Sequence, residues 1–229
     1  MSSEFSSGGE INSPEAKFQF HERQDTSAGI ITGTGAGFNI PDGSTAGITS
    51  DIVITENESV TDVEVTLSGL THSWAGDVTA TISNGTVTSS LVTKVGYPGG
   101  VNGDSSVYDG DYTFSFDGGD LWSAADAAGF AAGIPDGDYK PTGVANSAVS
   151  LSSDFSGQSS AGTWTLFMSD IAAGDTGALT GWSIQLTTSG ASSPVPEPGS
   201  MTVFAVGVGV VCVIRRRRRP TRVGGVLRR

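Results

Sequence analysis

The chain has 229 residues, enough for one or two domains, and only 16% of them are charged, below the roughly 25% of an average globular protein. Its 33 glycines and short apolar alternations favour an all-β protein with many turns. Residues 1–194 carry four bases against 23 acids, so the net charge of −12 combines an acidic body with a basic C-terminus. Because an acidic surface repels phosphate backbones, we expect the body of the protein to bind no nucleic acid.

Residues 1–28 are polar and aperiodic, and we expect them to form a disordered N-terminal segment. They contain no cationic start followed by an apolar core, so no signal peptide is recognisable in them. Three explanations stay open here: a misassigned start codon, a truncated chain, and a protein that remains in the cytoplasm.

Residues 29–188 are predicted to form a β-sandwich. Five short stretches alternate apolar with polar side chains, and this period of two is typical of antiparallel strands packed on one side only. The apolar faces are Val63, Val65 and Leu67; Val78, Ala80 and Ile82; Tyr112, Phe114 and Phe116; Trp164, Leu166 and Met168; and Trp182, Ile184 and Leu186. Two half-apolar sheets bury these faces on each other. One short helix is expected within residues 121–132, and the only cysteine, Cys212, lies outside this region.

A Ser/Pro linker at residues 189–198 cannot join a sheet, and residues 199–229 follow it as a separate tail. The tail has an uncharged apolar stretch, 200–214, and then an Arg-rich segment, 215–229, that opens with Arg215, Arg216, Arg217, Arg218 and Arg219. A membrane span needs roughly 20 apolar residues, so a buried core helix or strand is the alternative for this stretch. The arginines favour a C-terminal transmembrane helix, with the basic end held in the cytoplasm and attracted to acidic membrane lipid.

The start of the tail carries a short motif, Val195, Pro196, Glu197 and Pro198, ahead of the apolar and basic segments. In this order at the C-terminus, the three parts resemble the PEP-CTERM sorting signal of Gram-negative and related bacteria. The resemblance implies an exported protein of the cell envelope or surface, held in the membrane transiently or stably. It also implies an exosortase as partner, a membrane cysteine peptidase that processes such tails near the Pro-Glu-Pro motif.

The body carries three further motifs. In the first, His72 stands four residues before Gly76, and Asp77 follows directly, ahead of an alternating strand. The second leads from Gly137, Tyr139 and Pro141 to Leu151, Phe155 and Gly157. The third marks a closing strand pair with Trp164, Asp170, Asp175, Gly177 and Trp182. Together they resemble the P domain (P/Homo B) that follows the catalytic domain of kexin- and furin-like subtilases. The resemblance implies a jelly-roll-like antiparallel sandwich that stabilises or positions a neighbouring protease domain.

No catalytic residues are predicted. His72 is the only histidine in the predicted fold, and no Gly-x-Ser-x-Gly turn is present to supply a nucleophile for a serine triad. Asp175, Thr176 and Gly177 match the aspartic-protease tripeptide, but it occurs once and a dyad needs two. We therefore expect a non-enzyme, for which a serine-endopeptidase label would be inherited from the P-domain family alone.

Aspartates in Gly-rich turns suggest a calcium site, because Ca²⁺ takes hard oxygen ligands from such loops. The candidates are Asp109 with Asp111, or Asp77 with Asp170 and Asp175. Two alternatives stay open: β-turns favour Asp and Gly for conformational reasons, and an acidic surface serves solubility or a salty exterior.

Three functions are compatible with these features. The leading hypothesis is an exported, non-catalytic surface protein sorted by its tail. The second is an accessory domain that works with a separate subtilisin-like protease. The third, binding of extracellular polysaccharide, depends on exposed aromatic side chains such as Trp74 and Trp122.

Overall fold

The structure is a computed structural model, and it describes residues 28–97 and 102–190. These residues belong to one compact unit of the chain, and the second unit, Ser193–Arg229, lies outside them. The predictions made for the N-terminal segment up to residue 27, for the sorting motif and for the apolar and Arg-rich stretches therefore also lie outside the described residues.

Nine strands and two short helices make up the described part of the chain. The strands are β1 (Gly29–Ile40), β2 (Ile48–Ile54), β3 (Val60–His72), β4 (Val78–Ser83), β5 (Thr88–Thr93), β6 (Tyr108–Gly119), β7 (Gly137–Tyr139), β8 (Gly162–Asp170) and β9 (Gly177–Thr188). The helices are α1 (Leu121–Ala128) and α2 (Leu151–Phe155), and single 3-10 turns cover Ala75–Asp77 and Val144–Asn146. The all-β prediction is confirmed.

The strands form two sheets that pack face to face. The five-stranded sheet has the order β1-β9-β3-β6-β7, and the four-stranded sheet has the order β2-β8-β4-β5. Apart from Phe116, the apolar faces predicted from the alternation fill the space between them, and their largest members are Trp164 and Trp182. Trp164 packs on Phe155 of α2 with ring centroids 5.0 Å apart, so the short helix closes one side of the core.

The predicted short helix is α1. The Asp120 side chain accepts hydrogen bonds from the backbone N–H groups of Trp122 and Ser123, which otherwise have no partner in the first turn. The helix ends at Gly129, whose φ of 79° lies in the left-handed region that favours glycine. Among the residues that the structure describes, no helix has the length and apolar character needed to cross a membrane.

One strand pair differs from the predicted antiparallel arrangement. β7 pairs with β6 in parallel, with Tyr112 opposite Gly137 and Phe114 opposite Tyr139. Parallel neighbours need a crossover connection, and the segment that contains α1 supplies it. A tight hairpin between the two strands would have forced antiparallel pairing.

Phe116 was predicted to share the buried face of Tyr112 and Phe114, and this prediction is wrong. Its side chain is 66% exposed. The pairing between β3 and β6 ends with Val65 opposite Phe114. Phe116 therefore lies beyond the part of β6 that pairs with β3. The ring instead borders a cavity of about 350 Å³ that Lys140, Pro141 and residues 148–151 also line.

Candidate functional site: an acidic pocket at one end of the sandwich

The segment between β3 and β4 brings the first P-domain-like motif to one end of the sandwich. At Gly76, a Cβ atom would lie 2.6 Å from the Asn102 carbonyl oxygen and 2.6 Å from the Asp104 amide nitrogen, so only glycine fits this close approach. The next residue, Asp77, accepts a backbone hydrogen bond from Ile171 at 3.1 Å. That bond joins the start of β4 to the loop that follows β8.

A cavity of about 240 Å³ opens between these loops, and we call it the acidic pocket. It is lined by Trp74, Asp77, Asn102, Ala172, Ala173 and Asp175. The Trp74 indole N–H donates to the Asn102 carbonyl oxygen at 2.5 Å, and the ring meets Phe130 edge-on with centroids 6.4 Å apart. The indole wall of the pocket is therefore held in a fixed orientation.

The Asp77 side chain faces this pocket in an unfavourable electrostatic environment. The residue is only 5% exposed, and none of the described residues donates a hydrogen bond to its carboxylate. Burial, followed by the neighbouring charges of Asp170 and Asp175, raises the pKa of the Asp77 carboxyl above its ordinary value, and His72 and Lys94 offset part of that rise. Among the residues that the structure describes, the carboxyl thus lacks the hydrogen-bond partner that a buried acid normally has.

Behind the pocket, His72 of β3 faces Asp170 of β8 and so connects the two sheets. The Nε2 atom lies 3.4 Å from Asp170 Oδ2, and both side chains are fully buried. The other ring nitrogen, Nδ1, lies 2.9 Å from the Trp74 carbonyl oxygen, as expected for a structural histidine that binds a turn. A Cβ atom at Gly177 would collide with the imidazole ring, which accounts for that glycine of the closing motif.

The five predicted metal ligands fall into two separate groups. Asp77 and Asp175 line the acidic pocket, with Asp170 buried behind it, and the Ser73 hydroxyl donates to Asp175 Oδ1 at 2.8 Å. Asp109 and Asp111 are exposed on β6, and Asp111 Oδ1 accepts from the Gly69 amide at 2.7 Å. Within 28–97 and 102–190, no three acidic, histidine or cysteine side chains are arranged to hold a metal ion. Calcium binding stays a prediction.

Two aromatic side chains are less exposed than expected from the sequence. Trp122 packs partly buried against the core, and its indole N–H has no partner among the described residues. Trp74 is also partly buried, as the wall of the acidic pocket. Both side chains are thus only partly exposed, and binding of extracellular polysaccharide stays a prediction.

Sequence reasoning missed Asn102 as a pocket residue. It follows β5 in a loop with no apolar period, and only the packing of that loop against Gly76 brings its carbonyl to Trp74. Trp74 could have been found, because it lies inside the motif that joins His72 to Asp77.

Two sequence families match the chain. Residues 133–186 match the proprotein convertase P-domain, and residues 194–219 match the PEP-CTERM protein-sorting motif. Both resemblances drawn from the sequence are confirmed. The P-domain match covers β7, α2, β8 and most of β9, and thus includes Asp170 and Asp175 of the acidic pocket.

Two solved structures resemble the P-domain-like sandwich over part of their length. The serine protease of Aeromonas sobria matches with 15% identity and a TM-score of 0.40, and its complex with a chaperone matches with 17% identity and a TM-score of 0.39. Each match covers 70% of this chain and 27% of the other, so this chain spans about a quarter of the length of the protein that it resembles. No curated protein matches the chain significantly.

Proposed function

We propose that this protein is an exported, non-catalytic component of the cell envelope or surface, sorted through its tail by an exosortase. The observation that carries the proposal is the match of residues 194–219 to the PEP-CTERM protein-sorting motif. In this scheme Val195, Pro196, Glu197 and Pro198 form the processing motif, and the apolar stretch 200–214 enters the membrane. The arginines from Arg215 onwards keep the C-terminal end in the cytoplasm.

The burial of the His72–Asp170 pair supports a non-catalytic body. A catalytic pair must reach a substrate, whereas the side chains of His72 and Asp170 are fully enclosed between the sheets. The imidazole is further held by the Trp74 carbonyl oxygen and restricted by Gly177. This arrangement is that of a structural bridge between two sheets.

Fractionation of cells that produce the full chain tests the sorting proposal. In a bacterium that encodes an exosortase, we expect the wild-type chain in the envelope or surface fraction. The combined variant Pro196→Ala, Glu197→Gln and Pro198→Ala should accumulate unprocessed, and deletion of the exosortase gene should have the same effect on the wild-type chain. Pro194→Ala is the matched control, because it removes a neighbouring proline and leaves the tripeptide intact. A wild-type chain that stays in the cytosol with its tail intact would contradict the proposal.

A second candidate function is that of an accessory domain that acts with a separate subtilisin-like serine endopeptidase. The match of residues 133–186 to the proprotein convertase P-domain favours it. Cross-linking in intact cells, followed by identification of proteins bound to the full chain, separates the two candidates. Recovery of a subtilase at stoichiometric yield supports the accessory role, and its absence from the bound material argues against it.

A further inference from the structure

The acidic pocket contains carboxylates that the described residues do not neutralise. Of the two carboxylates that line it, Asp77 is 5% exposed and has no hydrogen-bond donor among these residues, and Asp175 accepts one hydrogen bond, from the Ser73 hydroxyl. A buried carboxylate without a donor costs free energy, because it has lost its water and gained no partner. A cation that entered the pocket would supply that partner.

The bases of the described body do not fill this role. Against 18 acidic residues, positions 28–190 contain only Lys94 and Lys140. Lys94 holds its Nζ atom 5.5 Å from the centroid of the Tyr97 ring and is not a lining residue of the pocket, and Lys140 borders the other cavity. A cationic group of another molecule would be attracted over a distance by the strongly negative body.

The shape of the pocket favours an extended organic cation over a metal ion. Calcium requires ligand oxygens about 2.3–2.6 Å from a single point. The described residues offer no group of three acidic, histidine or cysteine side chains for a metal ion, and the pocket is lined by two carboxylates, those of Asp77 and Asp175. That space, about 240 Å³, equals the volume of about eight water molecules in the liquid. It has room for a planar guanidinium and the end of its aliphatic stem.

The Trp74 indole adds an aromatic face to the two carboxylates. Its orientation is fixed by the hydrogen bond to Asn102 and by the edge-on contact with Phe130. A guanidinium stacks on such a face and at the same time donates several N–H groups in one plane, whereas an ammonium acts as a compact point charge. Carboxylates beside an ordered indole are therefore better matched to arginine than to lysine.

We propose that the acidic pocket binds an arginine side chain of a partner protein, with the guanidinium between Asp77 and Asp175 and against the Trp74 ring. The residues of this binding site all belong to the sandwich. The site adds to the proposed function a surface that binds an arginine side chain of a partner protein. This surface would be present whether or not an exosortase processes the chain.

Titration of the purified full chain with a small arginine probe tests this proposal. The probe is Nα-acetylarginine amide, and its control is Nα-acetylcitrulline amide, which has nearly the same shape without the charge. Nuclear magnetic resonance of the indole N–H groups reports binding at Trp74, whose signal is assigned with Trp74→Phe. We expect a saturable shift with the arginine probe and none with the citrulline probe.

Two substitutions show whether the carboxylate is responsible. Asp77→Asn should weaken binding of the arginine probe by about tenfold or more, as expected when a hydrogen bond between charged groups is lost. Asp138→Asn, at an exposed aspartate of β7, should leave binding unchanged. Unaltered signals of the buried Trp164 and Trp182 indoles verify that each variant is folded.

Three results would overturn the proposal: no saturable shift with the arginine probe, equal binding of the citrulline probe, or full binding by Asp77→Asn. A fourth result that would overturn the proposal comes from a titration with calcium chloride alone. If it shifts the Trp74 signal at lower concentrations than the arginine probe does, and Asp77→Asn abolishes that shift, the pocket is a metal site. Cell fractionation can succeed or fail independently of these titrations, so the two proposals are tested separately.

Discussion

At the scale of single residues, Asp77 is placed where its negative charge is unfavourable. Burial and the charges of Asp170 and Asp175 raise the pKa of its carboxyl, so the folded protein binds that proton more tightly than the unfolded chain does. The stability that this proton contributes is fully present below the ordinary pKa of 3.8 and is lost as the pH rises through the raised pKa of the folded state. At neutral pH the folded protein therefore carries a charge that weakens it.

Asp77→Asn should raise the melting temperature of the full chain at pH 7, because the amide removes the buried charge and keeps the shape. The gain should shrink as the pH falls towards 3.8, where the wild-type carboxyl is protonated as well. Thermal unfolding followed by circular dichroism across this range measures the difference. Asp138→Asn serves as the exposed control. A lower melting temperature for Asp77→Asn at both ends of the range would show that the carboxylate has a stabilising partner in the folded protein.

Some residues of the pocket could be predicted from the sequence and others could not. His72 and Asp77 stand out because a short motif with a glycine joins them. Asn102 contributes a backbone carbonyl oxygen, which carries no side-chain signature, and it reaches Trp74 only through tertiary packing. The exposure of Phe116 could not be predicted either, because the alternation within a strand does not show where its pairing with a neighbouring strand ends.

At the scale of elements, Gly33 and Gly35 of β1 are explained by close neighbours in both sheets. A Cβ atom at Gly35 would overlap the indole of Trp182 on β9, and one at Gly33 would meet Ile52 of β2. The Trp182 N–H donates across to the Ser50 hydroxyl at 3.0 Å, which ties β9 to β2 in the other sheet. The glycine-rich segment therefore serves close packing around a buried tryptophan.

Gly35→Ala should lower the free energy of unfolding by about 1–3 kcal/mol, the usual cost of forcing extra volume into a packed core. Gly133→Ala is a suitable control, because a Cβ atom there would meet no atom within 4 Å. Urea denaturation of both variants and the wild-type chain measures the difference. Equal stability of the two variants would show that Trp182 moves aside at no cost, against the packing described for β1.

At the scale of the whole molecule, alternation alone predicts two sheets with their apolar faces together. It does not predict which strands are neighbours. β1 pairs with β9, the last strand of the body, and β9 lies between β1 and β3 in the larger sheet. Such pairing depends on contacts between residues far apart in the sequence, which no local pattern records.

The proposed function depends on the division of the chain into a β-sandwich body and a sorting tail. The body contains a buried His–Asp bridge and an acidic pocket, and residues 194–219 match a protein-sorting motif. The central claim is that an exosortase acts on this tail, and the tail must therefore change covalently in cells that contain the enzyme.

The mass of the intact protein, recovered from the surface fraction, tests this claim most directly. In cells with an exosortase, we predict a chain that ends within or beside residues 195–198 and has lost the apolar stretch and the arginines. In matched cells without the enzyme, we predict a membrane-associated chain that extends to Arg229. A surface form that extends to Arg229 in both kinds of cell would contradict the account.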